Sequence, residues 1–234
     1  MKRVNKKTLK DLTVLMPACF ASTLLFFVLM NMSDLFTKDP AIRSLLCVIV
    51  FSADMLFLVL FMSCIYGIRS LHEDFSTVWL LLFFRILLIF AALLLSELGY
   101  LSEFYEKRDT MVSAAYLAEN ASLMCFVFAY KIMTTAFARL LEKSGVEKQA
   151  LKYRKGAILY LSIGVAAVLF SAAALFVPGE GRTAIMAGVF KTAGTVTKLA
   201  VILLQIPIYL AIRDAIGTVW RTRLEREQEG RRIR

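Results

Sequence analysis

The sequence predicts an all-α polytopic integral membrane protein: a bundle of six transmembrane helices with N and C termini cytoplasmic. Three observations predict it. Of 234 residues, 59% are hydrophobic and the mean hydropathy is +0.69, whereas a soluble domain is about 45 to 50% apolar. The apolar residues fall in runs close to the roughly 20 needed to cross a hydrocarbon core of about 30 Å. The basic residues collect in alternate gaps between those runs.

The first run, 13–30, follows Lys2, Arg3, Lys6, Lys7 and Lys10. It exceeds the roughly 7 to 15 residues of a signal-peptide apolar region and no A-x-A-like site follows, so it is predicted to be a span. The polar stretch from Asn31 to Pro40 ends it. The second run, 41–68, breaks at Arg69, and the third, 77–101, at the charged segment from Glu103 to Asp109. The fourth, 111–141, is longer than a bilayer requires and predicts a tilt or a cytoplasmic projection. The fifth, 156–177, stops at Pro178, Gly179, Glu180 and Gly181, residues suited to a tight turn. The sixth, 183–212, contains Pro207, which removes a backbone donor and predicts a kink, as does Pro17 in the first. Residues 1–217 are thus expected to form one six-helix transmembrane domain, and 218–234 a basic cytoplasmic tail. Arg221, Arg223, Arg231 and Arg232 of that tail are candidate contacts to anionic lipid on the cytoplasmic face, in a short surface helix or a solvated segment.

Six spans put alternate gaps on opposite sides. The side of the N-terminus then holds 19 Lys and Arg and the other side 5, the bias that the positive-inside rule requires of cytoplasmic loops. The largest of those loops is the hydrophilic segment from Arg139 to Lys155. Trp79 and Trp220 fall at predicted cytoplasmic membrane edges, where amphipathic rings favour the headgroup layer. The expected location is a plasma or inner membrane.

A net charge of +10 does not point to nucleic acid, because the basic residues lack interleaved aromatic stacking positions. Cys19, Cys47, Cys64 and Cys125 lie in apolar runs without a C-x-x-C pair, so no metal or cofactor is expected. The single His, His72, is read as a solvated loop residue. No hydrolase or zinc-protease motif is present, and the chain is not expected to be an enzyme.

Ionisable groups inside a membrane cost about 2.5 to 3.5 kcal/mol each on insertion scales, so each requires an explanation. Counting about 1.5 Å per residue from the span ends sets their depths. Asp54 and Lys198 fall near the middle, and Glu119 and Lys191 in the outer third. Matched depths predict two ion pairs across helices, Asp54 with Lys198 and Glu119 with Lys191. Arg85, without an acid at its own depth, is expected to share Asp54 or face a wet cavity. Lys191, Thr195, Lys198 and Gln205 recur at helical spacing and form one inward stripe, while Gly188 and Gly194 allow close helix approach. The first and fifth runs carry no charge, so the polar centre is expected to be built from the other four, with the first and fifth turned more toward lipid or a partner subunit. Two functions fit this polar cluster. One is a non-catalytic structural, signalling or partner-binding subunit, homo-oligomers included, with charges that stabilise its bundle. The other is a transporter of a small solute, ion or proton, with a surplus positive charge that favours a small anionic solute.

Overall fold

The computed structural model of the chain describes residues 6–32, 40–100, 108–177 and 184–232. The described residues form α1 (Lys6–Met32), α2 (Pro40–Ile68), α3 (Asp74–Tyr100), α4 (Arg108–Lys143), α5 (Glu147–Phe176), α6 (Ala184–Leu203) and α7 (Gln205–Arg232). The architecture is all-α. Six helical stretches, with α6 and the start of α7 counted as one, are long and apolar enough to cross a membrane. The expected turn at Pro178 to Gly181 lies outside the described residues, as do the side chains of Arg221, Arg223, Arg231, Arg232 and Trp220.

The break between α6 and α7 has a local cause. Pro207 offers no N–H to the carbonyl of Leu203, and its ring crowds that carbonyl. The helix gives way at Leu204, whose N–H still reaches the Ala200 carbonyl at 2.9 Å. Pro17, by contrast, sits within an uninterrupted α1.

The expected large loop from Arg139 to Lys155 is not a loop. Helix continues to Lys143 and resumes at Glu147, which leaves Ser144, Gly145 and Val146 as the connection. Gly145 has φ +84°, and the N–H groups of Gly145 and Val146 donate to the carbonyls of Glu142 (3.0 Å) and Leu141 (3.1 Å). That is a Schellman ending, which satisfies the last carbonyls of α4 and needs little chain. Arg154 bonds Glu142 at 2.6 Å across the hairpin, and Arg139 bonds Asp74 at the start of α3 at 2.9 Å. Charge alone marked this segment as a connection, yet its Lys, Arg, Glu and Ala residues are good helix formers.

Sequential helices pack side by side, most extensively α3 with α4 and then α4 with α5, α5 with α6 and α1 with α2; α7 returns against α4 and α1 and completes the enclosure. The largest buried side chains, among them Leu12, Ile68, Phe75, Leu82, Leu141 and Ile212, gather toward the end where α1 begins. At the opposite end Leu45, Val48, Leu94, Phe176, Ile185 and Val189 are exposed. Two glycines set the spacing of α5. A Cβ on Gly164 would meet the Val127 methyls of α4 at 2.5 and 2.6 Å, and one on Gly194 would meet Ser171 Oγ of α5 at 2.9 Å. Gly188 has open space beside it and supports no close approach. His72 is also other than expected: only 11% exposed, it accepts the Asp74 N–H at Nδ1 (3.2 Å) and lies 3.4 Å from the Asp74 carboxylate.

Candidate functional site

Halfway along the bundle, polar side chains from several helices meet in the interior. α2 supplies Asp54, which is 5% exposed. Its Oδ1 accepts hydrogen bonds from Ser22 (2.7 Å) and Thr23 (2.8 Å), both on α1. Ser22 Oγ also lies 3.0 Å from the Cys19 carbonyl, so its single proton is shared between two acceptors.

α3 supplies Arg85, 8% exposed, whose guanidinium carbon lies 3.6 Å from the centre of the Phe126 ring on α4. That cation–π contact is worth about 2 kcal/mol when desolvated. It satisfies none of the in-plane N–H groups. Arg85 Nε and Nη1 are buried without a hydrogen-bond partner on the protein, and so is the Tyr160 hydroxyl of α5. The Phe126 ring in turn lies 4.5 Å from the Tyr130 ring between centres. The rings of Tyr130 and Tyr160 lie 6.0 Å apart. Arg85, Phe126, Tyr130 and Tyr160, from α3, α4 and α5, therefore form one run of contacts.

α7 adds Gln205, 2% exposed, with neither its amide oxygen nor its nitrogen partnered. Its level follows from register. Lys198 of α6 meets Glu119 of α4, and both helices run in the same direction after two reversals; Gln205 and Phe126 each lie seven residues further on. Seven residues of helix is about 10.5 Å, and the break at Leu204 intervenes, so Gln205 falls about two turns beyond the Lys198–Glu119 pair.

The expected ion pairs are not those observed. Lys198 Nζ pairs with Glu119 Oε1 at 3.0 Å, with side-chain exposures of 16% and 58%, and Lys198 lies 5.2 Å from the centre of the Tyr116 ring. Lys191, expected beside Glu119, is exposed. Thr195, between them on the stripe, turns its hydroxyl back to the Lys191 carbonyl at 3.1 Å. Burial thus rises along the stripe from Lys191 to Gln205. Asp54 makes no ion pair among the described residues, with Lys198 or with Arg85. Depth counting is good to about a turn, and a helix turn also rotates a side chain away from its expected neighbour. That uncertainty was enough to exchange partners.

The charge-free runs within α1 and α5 are not bystanders either. They bring Ser22, Thr23 and Tyr160 inward, although the first and fifth runs were expected to turn more toward lipid or a partner. No protein-family model, curated protein or solved structure matches this chain. Function therefore has to be argued from these side chains.

An anion would find donors here in Arg85, Tyr160 and the Gln205 amide. Among the described residues no group of three or more His, Cys, Asp or Glu is clustered. A second polar level, with Asn120 (3% exposed, Oδ1 unpartnered) and Ser171 (1% exposed), lies nearer the Glu119–Lys198 pair. Reasoning from charge missed Ser22, Thr23, Phe126, Tyr130, Tyr160 and Asn120. Adjacent hydroxyls at 22 and 23 were the one available signal; apolar runs contain aromatic residues whatever the function.

Proposed function

We propose that the chain is a six-pass integral membrane protein of a plasma or inner membrane, with both termini cytoplasmic, that passes a small solute through the polar interior of its bundle. The orientation is supported by the 19 to 5 distribution of Lys and Arg. The observation that carries the solute reading is the set of buried, unpartnered polar atoms on Arg85, Tyr160 and Gln205. A bundle stabilised by its charges alone would pair such groups, because each unsatisfied polar atom costs about 1 to 3 kcal/mol. A solute or water supplies the missing partners.

Counterflow of radiolabelled lactate, phosphate and glycine into proteoliposomes tests the proposal. Protein-dependent flux that falls at least tenfold in Asp54→Asn or Arg85→Gln is the expected result. Flux of none of these solutes, from protein shown to be folded and inserted, counts against it.

One observation favours a second reading, a non-catalytic subunit. Glu119 is 58% exposed on its side chain, next to Leu117 at 49%, and an acid on an apolar outer face suits contact with a partner helix. Co-purification of one protein in fixed stoichiometry, lost in Glu119→Leu, would support that reading.

A further inference from the structure

We infer that the first turns of α5 dock anionic phospholipid headgroups through an exposed face made of Lys148, Lys152 and Lys155. The inference rests on the six-pass reading above and is independent of any solute. In a loop these lysines would have no fixed relation. Because α5 is helical from Glu147, steps of four and three at about 3.6 residues per turn stack them on one stripe. That stripe points away from the bundle. It lies opposite Ala150, Ala157 and Tyr160, the buried residues of the same stretch, and all three lysines are exposed.

The charge on this face is unanswered. Among the described residues none of the three lysines makes an ion pair, and Glu142, the acid across the hairpin, is held by Arg154 at 2.6 Å. Side chains at such spacing lie about 5 to 6 Å apart at Cβ, where like charges oppose the helix. An anion seated between two ammonium groups removes that repulsion and accepts hydrogen bonds from both.

Depth and apolar surroundings select a lipid. The stretch from Gly156 to Phe176 measures about 30 Å as helix, the thickness of a hydrocarbon core. Lys155 and Lys152 then fall in the adjoining headgroup layer of roughly 5 to 7 Å, with Lys148 about one turn above it. Leu151 beside them is 55% exposed, and Leu159, deeper on the same face, is 54% exposed. Ammonium groups above exposed leucines match a phosphate above an acyl chain. A soluble acidic protein would use the charge and leave Leu159 unmatched.

The test is native mass spectrometry of the full chain, released from mixed micelles that hold phosphatidylglycerol and phosphatidylcholine at equal concentration. Phosphatidylglycerol is expected to be retained over phosphatidylcholine by about fivefold or more, and the triple variant Lys148→Gln, Lys152→Gln, Lys155→Gln to lose most of that preference. A control with the same loss of charge at the N-terminal end of the chain, Lys2→Gln, Lys6→Gln, Lys10→Gln, is expected to keep most of it. Equal loss in the two triples overturns the site, as does retention without preference by folded wild-type protein. In non-ionic detergent without lipid, the α5 triple is expected to unfold no earlier than the wild type, since it removes like-charged neighbours. Earlier unfolding would give these lysines a role in the fold and overturn the inference. An acidic soluble protein bound in fixed ratio and lost in the α5 triple would overturn the lipid assignment. Extraction of the chain from vesicles by alkaline carbonate would reject the six-pass reading, whereas an inserted chain without lipid preference rejects this inference alone.

Discussion

Tyr160 and Asp54 illustrate opposite solutions to burying a polar atom. The Tyr160 hydroxyl has no partner on the protein, so it lowers the stability of the empty bundle by the cost of an unmet hydrogen bond. Tyr160→Phe is therefore expected to raise stability without ligand by about 1 kcal/mol, read as a higher midpoint in thermal unfolding in detergent. A gain in stability joined to a loss of binding is the signature of a group retained for a ligand. Asp54 is held by two hydroxyl donors. Removing one, as in Thr23→Val, should destabilise the protein by about 1.5 to 3 kcal/mol, the range for a hydrogen bond to a charged group, in the same unfolding assay. Glu119 and Lys198 are a third case. Their 3.0 Å contact joins a mostly exposed acid to a mostly buried lysine. A double-mutant cycle with Glu119→Gln and Lys198→Met is expected to give a coupling of about 0.5 to 2 kcal/mol, the range for polar contacts between helices in a membrane. The residues that make this level polar were only partly legible in the sequence. Asp54, Arg85, Glu119 and Lys198 stand out because charge in an apolar run is costly. Their partners do not, since a Ser, Thr or Tyr in such a run costs little and leaves no signature.

At the scale of elements, α5 is held against α4 by the absence of a side chain. Gly164 admits the Val127 methyls where a Cβ would stand, and Val127 is fully buried. Gly164→Ala is expected to cost about 1 to 3 kcal/mol by overpacking, and Val127→Ala in the same chain should recover most of that loss. If the double variant is no more stable than Gly164→Ala alone, this contact does not set the helix spacing. The six long apolar helices themselves were legible, because length and hydropathy are properties of the segment and survive ignorance of packing. Helix ends were less so. Arg139 to Lys155 looks like a loop when charge is taken to mean solvent, but charged helix formers extend α4 and α5 until Gly145 turns the chain. Pro207 predicted a kink correctly, displaced to Leu204 by the ring's conflict with the residue four positions before it.

For the whole molecule, hydropathy and charge alternation define a six-span outline, while the interior depends on how each helix is rotated. Rotation is where sequence reasoning fell short, with Lys198 found against Glu119 and with Asp54 turned to α1. The resulting bundle has most of its large buried side chains at one end and a polar level at mid-length with donors left unmet. The account stands on those donors meeting something other than protein. An experimental density map of the chain in a lipid nanodisc, at a resolution that shows ordered water, tests this most directly. The account predicts density for an anion or water within about 3 Å of both the Arg85 guanidinium and the Tyr160 hydroxyl, the reach of a hydrogen bond. A dry interior in which Asp54 has turned to form a direct ion pair with Arg85 would contradict it.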